Sequence, residues 1–361
     1  MELILFILLI ILFGGFFTGV IKGYKGSRNV KKIPQKALRK QEPQIGYVAS
    51  EILPNLKKSD FNFSEYHLSI YPINFSGQYS YSPNGRFVVG CQDSNYRLGT
   101  EGGHRRKGFG RVILFDGYQF VFQKDLERPN DGRVSDNGIV AVNDWRFGDG
   151  LKGIFYVLDN DGNTIINYPV KANLDKCGIS EDATIAWCNT HRSNYDSHSY
   201  RLFLFFIPLK KLLFKIDCVG SPDNISLMDN EILVKRKWGN EHYDLKGKIL
   251  NPEKSEEDLK HYTIEHGQPY ELILLAKDML SETNQISNQE ADEIRTILYK
   301  ILEFQGISDD YKALAYRFLG ELSEKTGEII QAIKNYRNAL SLDPKVGVKR
   351  VLTKLERSMK K

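Results

Sequence analysis

A short phrase repeats along the middle of this chain, and its spacing limits what the chain can fold into. It reads Tyr81-Ser-Pro-Asn-Gly-Arg-Phe-Val-Val89, then Val134-Ser-Asp-Asn-Gly-Ile-Val-Ala141, then Ile179-Ser-Glu-Asp-Ala-Thr-Ile-Ala186. A fainter copy runs Leu227-Met-Asp-Asn-Glu-Ile-Leu-Val234. Ser82, Ser135, Ser180 and Met228 mark the same place in each copy, at steps of 53, 45 and 48 residues. A second landmark keeps time with the first. Strand-like runs end at Asp116-Gly117, at Asp161-Gly162 and at Leu209-Lys210, and 18 residues separate Gly117, Gly162 and Lys210 from the next repeat position. Each unit therefore reads strand, Ser-x-Asp/Asn-Gly turn, strand, loop, strand, Asp-Gly turn, strand. Such turns combine a side-chain cap with a residue tolerant of positive φ.

A period near 45 with several short strands per unit predicts propeller blades. The expected fold class is mainly β, a partial or small β-propeller over residues 45–251, followed by a C-terminal all-α array. The repeats resemble the WD-like repeats of TolB-type propellers, whose hallmark is a Ser-Pro-Asp-Gly turn before a hydrophobic strand. Ser82-Pro83-Asn84-Gly85 matches it nearly, and Ser135-Asp136-Asn137-Gly138 and Ser180-Glu181-Asp182-Ala183 depart from it increasingly. Three units are clear, a fourth ends near Gly247, and residues 45–80 offer a fifth without the landmarks, so blade number stays open.

Residues 3–21 are almost wholly apolar and long enough to span a hydrocarbon core as a helix. The start Met1-Glu2 and the lack of a small-residue cleavage site favour an uncleaved anchor over a secretory signal. The domain reading is thus a transmembrane anchor at 1–21, a basic linker at 22–44, the propeller at 45–251 and a helical domain at 252–361. Eight Lys/Arg and no acid lie between Lys22 and Lys40; without them the net charge of +5 becomes −3. The positive flank places the soluble domains in the cytoplasm, and residues 22–40 could meet anionic lipid. A slightly acidic body argues against nucleic acid as partner.

Near Asn251 the apolar pattern changes from period two to period 3.6. Ser287-Asn-Gln-Glu290 is a capping box. Ala313-Leu-Ala-Tyr-Arg-Phe-Leu-Gly320, Gly327, Ala332, Tyr336, Ala339-Leu340 and Pro344 resemble a tetratricopeptide repeat (TPR), with Ser323 where that family usually has tyrosine. The resemblance implies antiparallel helical hairpins, a capping helix over 345–358, and a peptide groove with Arg317, Glu321 and Lys325 pointing inward.

Candidate chemistry is sparse. Cys91, Cys177, Cys188 and Cys218 form no CxxC pair, so neither a zinc site nor any other metal or cofactor is expected. Asp159-Asn-Asp-Gly-Asn163 lacks the distal Glu of a calcium loop and reads as a turn. One feature recurs across units. The loop after the landmark strand carries Asn95-Tyr96-Arg97, then Asn143-Asp144-Trp145-Arg146, then Asn189-Thr190-His191-Arg192, then Arg236-Lys237-Trp238. Equivalent loops should emerge on one face, so Arg97, Trp145, Arg146, His191, Arg192 and Trp238 are the candidate ligand-binding residues. Rings beside guanidinium groups suit an acidic peptide, a base or a sugar. The functional expectation is a membrane-tethered protein-interaction adaptor or assembly factor with protein or peptide partners. The rival is a hydrolase with a pocket at the propeller face, which converging titratable groups with shifted pKa values would betray.

Overall fold

The computed structural model describes residues 55–97, 103, 107–146, 150–218, 220–282 and 286–359. The apolar run 3–21, the linker 22–44 and the lipid-facing residues 22–40 lie outside the described residues. Among the described residues no helix is long and apolar enough to cross a membrane.

The fold is mainly β, in antiparallel sheets, with helices following. Strands β1 (Phe61–Phe63), β2 (Leu68–Ile70), β3 (Phe75–Tyr81), β4 (Phe87–Gln92), β5 (Gly110–Asp116) and β6 (Gln119–Leu126) pair in sequence order as one sheet. The second sheet holds β7 (Pro129–Val134), β8 (Val140–Asp144), β9 (Gly153–Leu158) and β10 (Thr164–Val170). The third holds β11 (Leu174–Ile179), β12 (Ile185–Thr190), β13 (Arg201–Phe206) and β14 (Lys211–Asp217). The fourth has three strands, β15 (Asn224–Met228), β16 (Glu231–Arg236) and β17 (Gly239–Asp244). Among the described residues before β3, β1 and β2 make no sheet of their own: they extend the first sheet, β2 pairing with the start of β3.

The repeated serine explains the repeated turn. Ser82 Oγ donates to Asn84 Oδ1 (2.7 Å) and accepts from the Phe87 N–H (2.9 Å). Ser135 does the same with Asn137 (2.6 Å) and the Ile139 N–H (3.0 Å), and Ser180 with Asp182 (2.6 Å) and the Ile185 N–H (3.0 Å). All three serines are buried, so the hydroxyl must be satisfied locally. The residue closing each turn is left-handed: Gly85, Gly138 and, without glycine's freedom, Ala183 at φ 58°.

The sheets stack face on face in chain order, each interface filled by alternate residues of its strands. Val89, Cys91, Val112 and Leu114 meet Val140, Val142, Ile154 and Tyr156 between the first and second sheets. Ala141, Phe155 and Val157 meet Ala186, Cys188, Phe203 and Phe205 between the second and third. Trp187, Leu202 and Leu204 meet Ile225, Ile232, Val234 and Tyr243 between the third and fourth. The first sheet's other face is covered from within: Phe61, Leu68 and Ile70 fold onto Val88, Ile113 and Phe115. Among the described residues no hydrophobic cluster joins the fourth sheet to the first.

Helix α1 (Pro252–His266) has no buried residue, hence no apolar stripe to read from sequence; it lies against β17. Helices α2 (Pro269–Glu282), α3 (Asn288–Glu303) and α4 (Asp309–Lys325) share one core of Leu272, Ala276, Ile294, Leu298, Phe318 and Leu322. The capping box forms, with the Glu290 N–H donating to Ser287 Oγ at 3.2 Å and the Ser287 N–H to Glu290 at 2.8 Å. Helix α5 (Ile329–Leu342) runs back along α4, and α6 (Lys349–Ser358) closes the end, its Leu352 packing into the cluster of Tyr336 and Val346. Gly320 is needed for that approach: a Cβ there would overlap the Tyr336 ring. Gly320→Ala is therefore expected to lose roughly 1–3 kcal/mol through overpacking. Urea unfolding followed by helical circular dichroism checks this; a midpoint at or above wild type would show that the ring can move aside.

Candidate binding face at the loop end of the sheets

Because every sheet is a meander, its connections sort themselves to two ends. The serine turns and the Asp-Gly turns lie at one end. The loops after β4, β8, β12 and β16 lie at the other, together with the links from one sheet to the next after β6, β10 and β14. All six candidate residues occur in these loops.

Their register differs in the first sheet. Val89 and Cys91 face the second sheet, as Ala141 faces the third and Trp187 the fourth. By alternation Asn143 matches Asn189 and Cys91, so Asn95 sits four residues beyond the equivalent position. A longer loop, 93–109, displaces Asn95-Tyr96-Arg97 outward; residues 98–102 and 104–106 of it lie outside the described set.

Three of the four candidate cations, Arg97, Arg146 and His191, meet carboxylates that lie outside the repeated loops. Arg97 Nη2 is 2.8 Å from Asp125, while Tyr96 donates to the other Asp125 oxygen at 2.9 Å. Arg146, held at φ 58°, places Nη2 2.8 Å from Glu127, which raises its pKa further. His191 Nε2 lies 3.4 Å from Asp175. The Arg97 and His191 side chains remain 51% and 57% exposed, so these pairs are surface pairs worth at most about 1 kcal/mol. Arg192 is exposed.

The two tryptophans do different work. Trp145 Nε1 donates to the Leu174 carbonyl at 2.8 Å, locking the second sheet to the third, and Arg128 lies over its ring at 5.6 Å. Arg128 in turn pairs with Asp93 at 3.0 Å. Asp93, Arg128, Trp145 and Leu174 thus form one polar line across three sheets. Asp175 continues it, accepting from Asn189 (3.1 Å) and Ser221 (2.7 Å). Trp238 packs between the Arg236 guanidinium (5.2 Å) and the Tyr262 ring of α1 (6.3 Å), its buried Nε1 without a protein partner.

Several charged groups at this end are buried, Arg236, Glu241 and Asp144 among them. Arg236 Nε lies 2.7 Å from Glu241, the side chains 1% and 9% exposed. Asp144 accepts backbone N–H groups of Arg128 (2.6 Å), Arg146 (3.2 Å) and Glu127 (3.3 Å). Burial nevertheless pushes its pKa up to about 6, with the Glu127 charge adding to the rise. Beside it Asn143, fully buried, has neither amide atom bonded to protein. Asp125, Glu127, Asp175 and Glu241 share no common offset from the repeat, so no sequence signal could have found them as a set.

The cysteines are free, and burial drives the Cys91, Cys177 and Cys188 thiols well up, keeping them protonated. Cys177 and Cys188 face each other across β11 and β12 without bonding. Among the described residues no His/Cys/Asp/Glu cluster could hold a metal. Asp159 Oδ1 caps its own turn, accepting from the Asp161 and Asn163 N–H groups at 3.0 and 2.7 Å.

On the helices, Arg317 pairs with Glu321 at 2.8 Å and donates to the Val346 carbonyl at 3.2 Å, tying α4 to the approach to α6. Lys325 lies in the last turn of α4.

No family model matches the chain, and no curated protein matches it. Solved structures overlap it in part. Kluyveromyces lactis Hsv2 is 12% identical, with 51% of this chain and 66% of that one covered, at a TM-score of 0.30. HIRA residues 644–1017 give 10% identity, 75% and 92% coverage, and 0.31. The Neurospora crassa Pan2 WD40 domain gives 11%, 52% and 60%, and 0.31. The chain spans less than two thirds of the Hsv2 and Pan2 chains, and overlap at these TM-scores assigns no family.

Proposed function

We propose that this chain is a protein-interaction adaptor that binds protein or peptide partners at the loop end of its sheets. The observation that carries this is positional: four successive sheets deliver aromatic and cationic side chains to one end, where a continuous polar line braces them. Arg97, Arg146, His191 and Arg192 supply charge there, and Trp145 and Trp238 are the rings beside it. The α4–α5 hairpin is a TPR-like unit, and its groove, with Arg317, Glu321 and Lys325, is a second partner surface. Residues 3–21 tether the protein to a membrane with its soluble domains in the cytoplasm; the charge asymmetry after Lys22 supports this topology.

The test is the triple change of Arg97, Arg146 and Arg192 to alanine. The Arg97 pair is a surface pair, the Arg146 side chain is 35% exposed and Arg192 is exposed, so the melting temperature should move little. Capture of a partner isolated with the wild-type chain should weaken at least tenfold, and the difference should shrink at high salt. Full capture by the triple variant, or its unfolding, would make these residues structural. For the tether, a reporter fused at Lys361 should be active on the cytoplasmic side; protection of that end from a cytoplasmic protease would reverse the topology.

A further inference from the structure

Helix α6 and the segment before it form a groove of about 830 Å³, lined by Pro344, Lys345, Gly347, Lys349, Arg350, Thr353, Lys354 and Arg357. Five of these eight residues are cationic and none is acidic. All five cations are exposed, and none makes an ion pair among the described residues. The carboxylates nearby are already engaged. Glu356 holds Arg337 at 2.6 Å, and Asp343 accepts the Lys345 backbone N–H at 2.8 Å. Elsewhere on the helices cations are commonly paired, as in Lys260–Glu293, Arg295–Glu328 and Arg317–Glu321. Uncompensated like charge on one short helix is unfavourable to keep, and an anionic partner would relieve it.

We propose that this groove docks an acidic, extended polypeptide segment carrying a run of Asp or Glu. None of its lining residues belongs to either partner surface proposed above, although Gly347 adjoins the Arg317 guanidinium. Shape and chemistry choose among polyanions. The ten residues of α6 span about 15 Å, the length of four or five extended residues. A helix that lies on anionic lipid turns its apolar side to the acyl chains; here Leu352 and the Val348 before it are buried against α5. Single-stranded nucleic acid is held by stacking on aromatic rings, and the groove lining has none.

The full chain in neutral detergent should bind a fluorescent hexaglutamate peptide at low salt and not its hexaglutamine counterpart. Binding should fall as salt rises, since exposed charges are screened. Reversing the groove with Lys349→Glu, Arg350→Glu and Lys354→Glu should weaken binding at least tenfold with the helical circular dichroism unchanged. The milder Lys349→Gln, Arg350→Gln, Lys354→Gln set should give a smaller loss in the same direction, and stands in if the reversed chain misfolds. Absence of hexaglutamate binding, or equal binding by the substituted chains, overturns the proposal. So does stronger retention on phosphatidylserine vesicles or on DNA through the same three residues, which would reassign the groove to lipid or to nucleic acid.

Discussion

Glu241→Ala is expected to destabilise the sheets by about 3–5 kcal/mol, because it leaves the Arg236 guanidinium buried without its counter-charge. Arg236 is almost inaccessible, and Glu241 is the carboxylate beside it. Glu241 also accepts from the Tyr243 hydroxyl at 2.9 Å, and Arg236 donates to the Gly220 carbonyl at 3.0 Å. The pair therefore clamps the link into the fourth sheet onto that sheet's last strand, within reach of Ser255 on α1 at 3.5 Å. Removing both charges together is a different experiment. Arg236→Met with Glu241→Leu takes away the desolvation cost along with the attraction, and should recover most of the loss. Chemical denaturation of both variants checks this, with Trp238 as a fluorescent neighbour. A Glu241→Ala cost below about 1 kcal/mol would mean that water reaches Arg236 and that the pair behaves as a surface one. A double variant as damaged as the single one would locate the effect in packing instead of charge.

The legible parts of this fold were those written in local chemistry. Ser82, Ser135 and Ser180 each donate to the side chain two residues on and accept a backbone N–H four or five residues on, so the turn recurs as a string of letters. The fourth copy has Met228 there, and Asp229 and Asn230 make its turn with two left-handed residues. Strand order within each unit followed from those turns. Long-range facts were not legible. Nothing local separates β1 and β2 from the start of another blade; only their pairing with β3 and the packing of Phe61 on Phe115 show that they close the first sheet. The first loop was phased on Asn95 because asparagine also stands at 143 and 189, whereas strand alternation puts Cys91 there. The loop cations were visible as residues but not as ion pairs, because their carboxylates come from different strands and links: Asp125 from β6, Glu127 from the link after it, Asp175 from β11. Helix α1 escaped the periodic reading because it has no apolar stripe to show.

Asp144 should make stability fall as pH rises from about 4 to about 6. Its ordinary pKa is 3.8, and burial lifts the folded value to about 6. Between those values the native state keeps a proton that the unfolded chain has released, so rising pH favours unfolding. The slope approaches 1.36 kcal/mol per pH unit, or about 3 kcal/mol across the window. Other carboxylates titrate in the same range, so the useful quantity is the difference from Asp144→Asn. That variant carries no charge at any pH and retains an oxygen to accept the Arg128 N–H. Its urea midpoint relative to wild type should rise steadily from pH 4 to pH 7 and level off above. Parallel profiles would mean that solvent reaches the carboxylate and its pKa is ordinary. A buried, ionised side chain at this cost needs a structural reason, and its three N–H donors supply one. They come from Glu127 and Arg128 in the link between the first two sheets and from Arg146 in the loop after β8. Asparagine has one acceptor oxygen where the carboxylate has two, so at least one donor must let go. If the candidate binding face is held by this contact, Asp144→Asn should gain stability at neutral pH while partner capture weakens. A variant that gains stability and captures equally well would show that the face is braced by Trp145 and Arg128 alone.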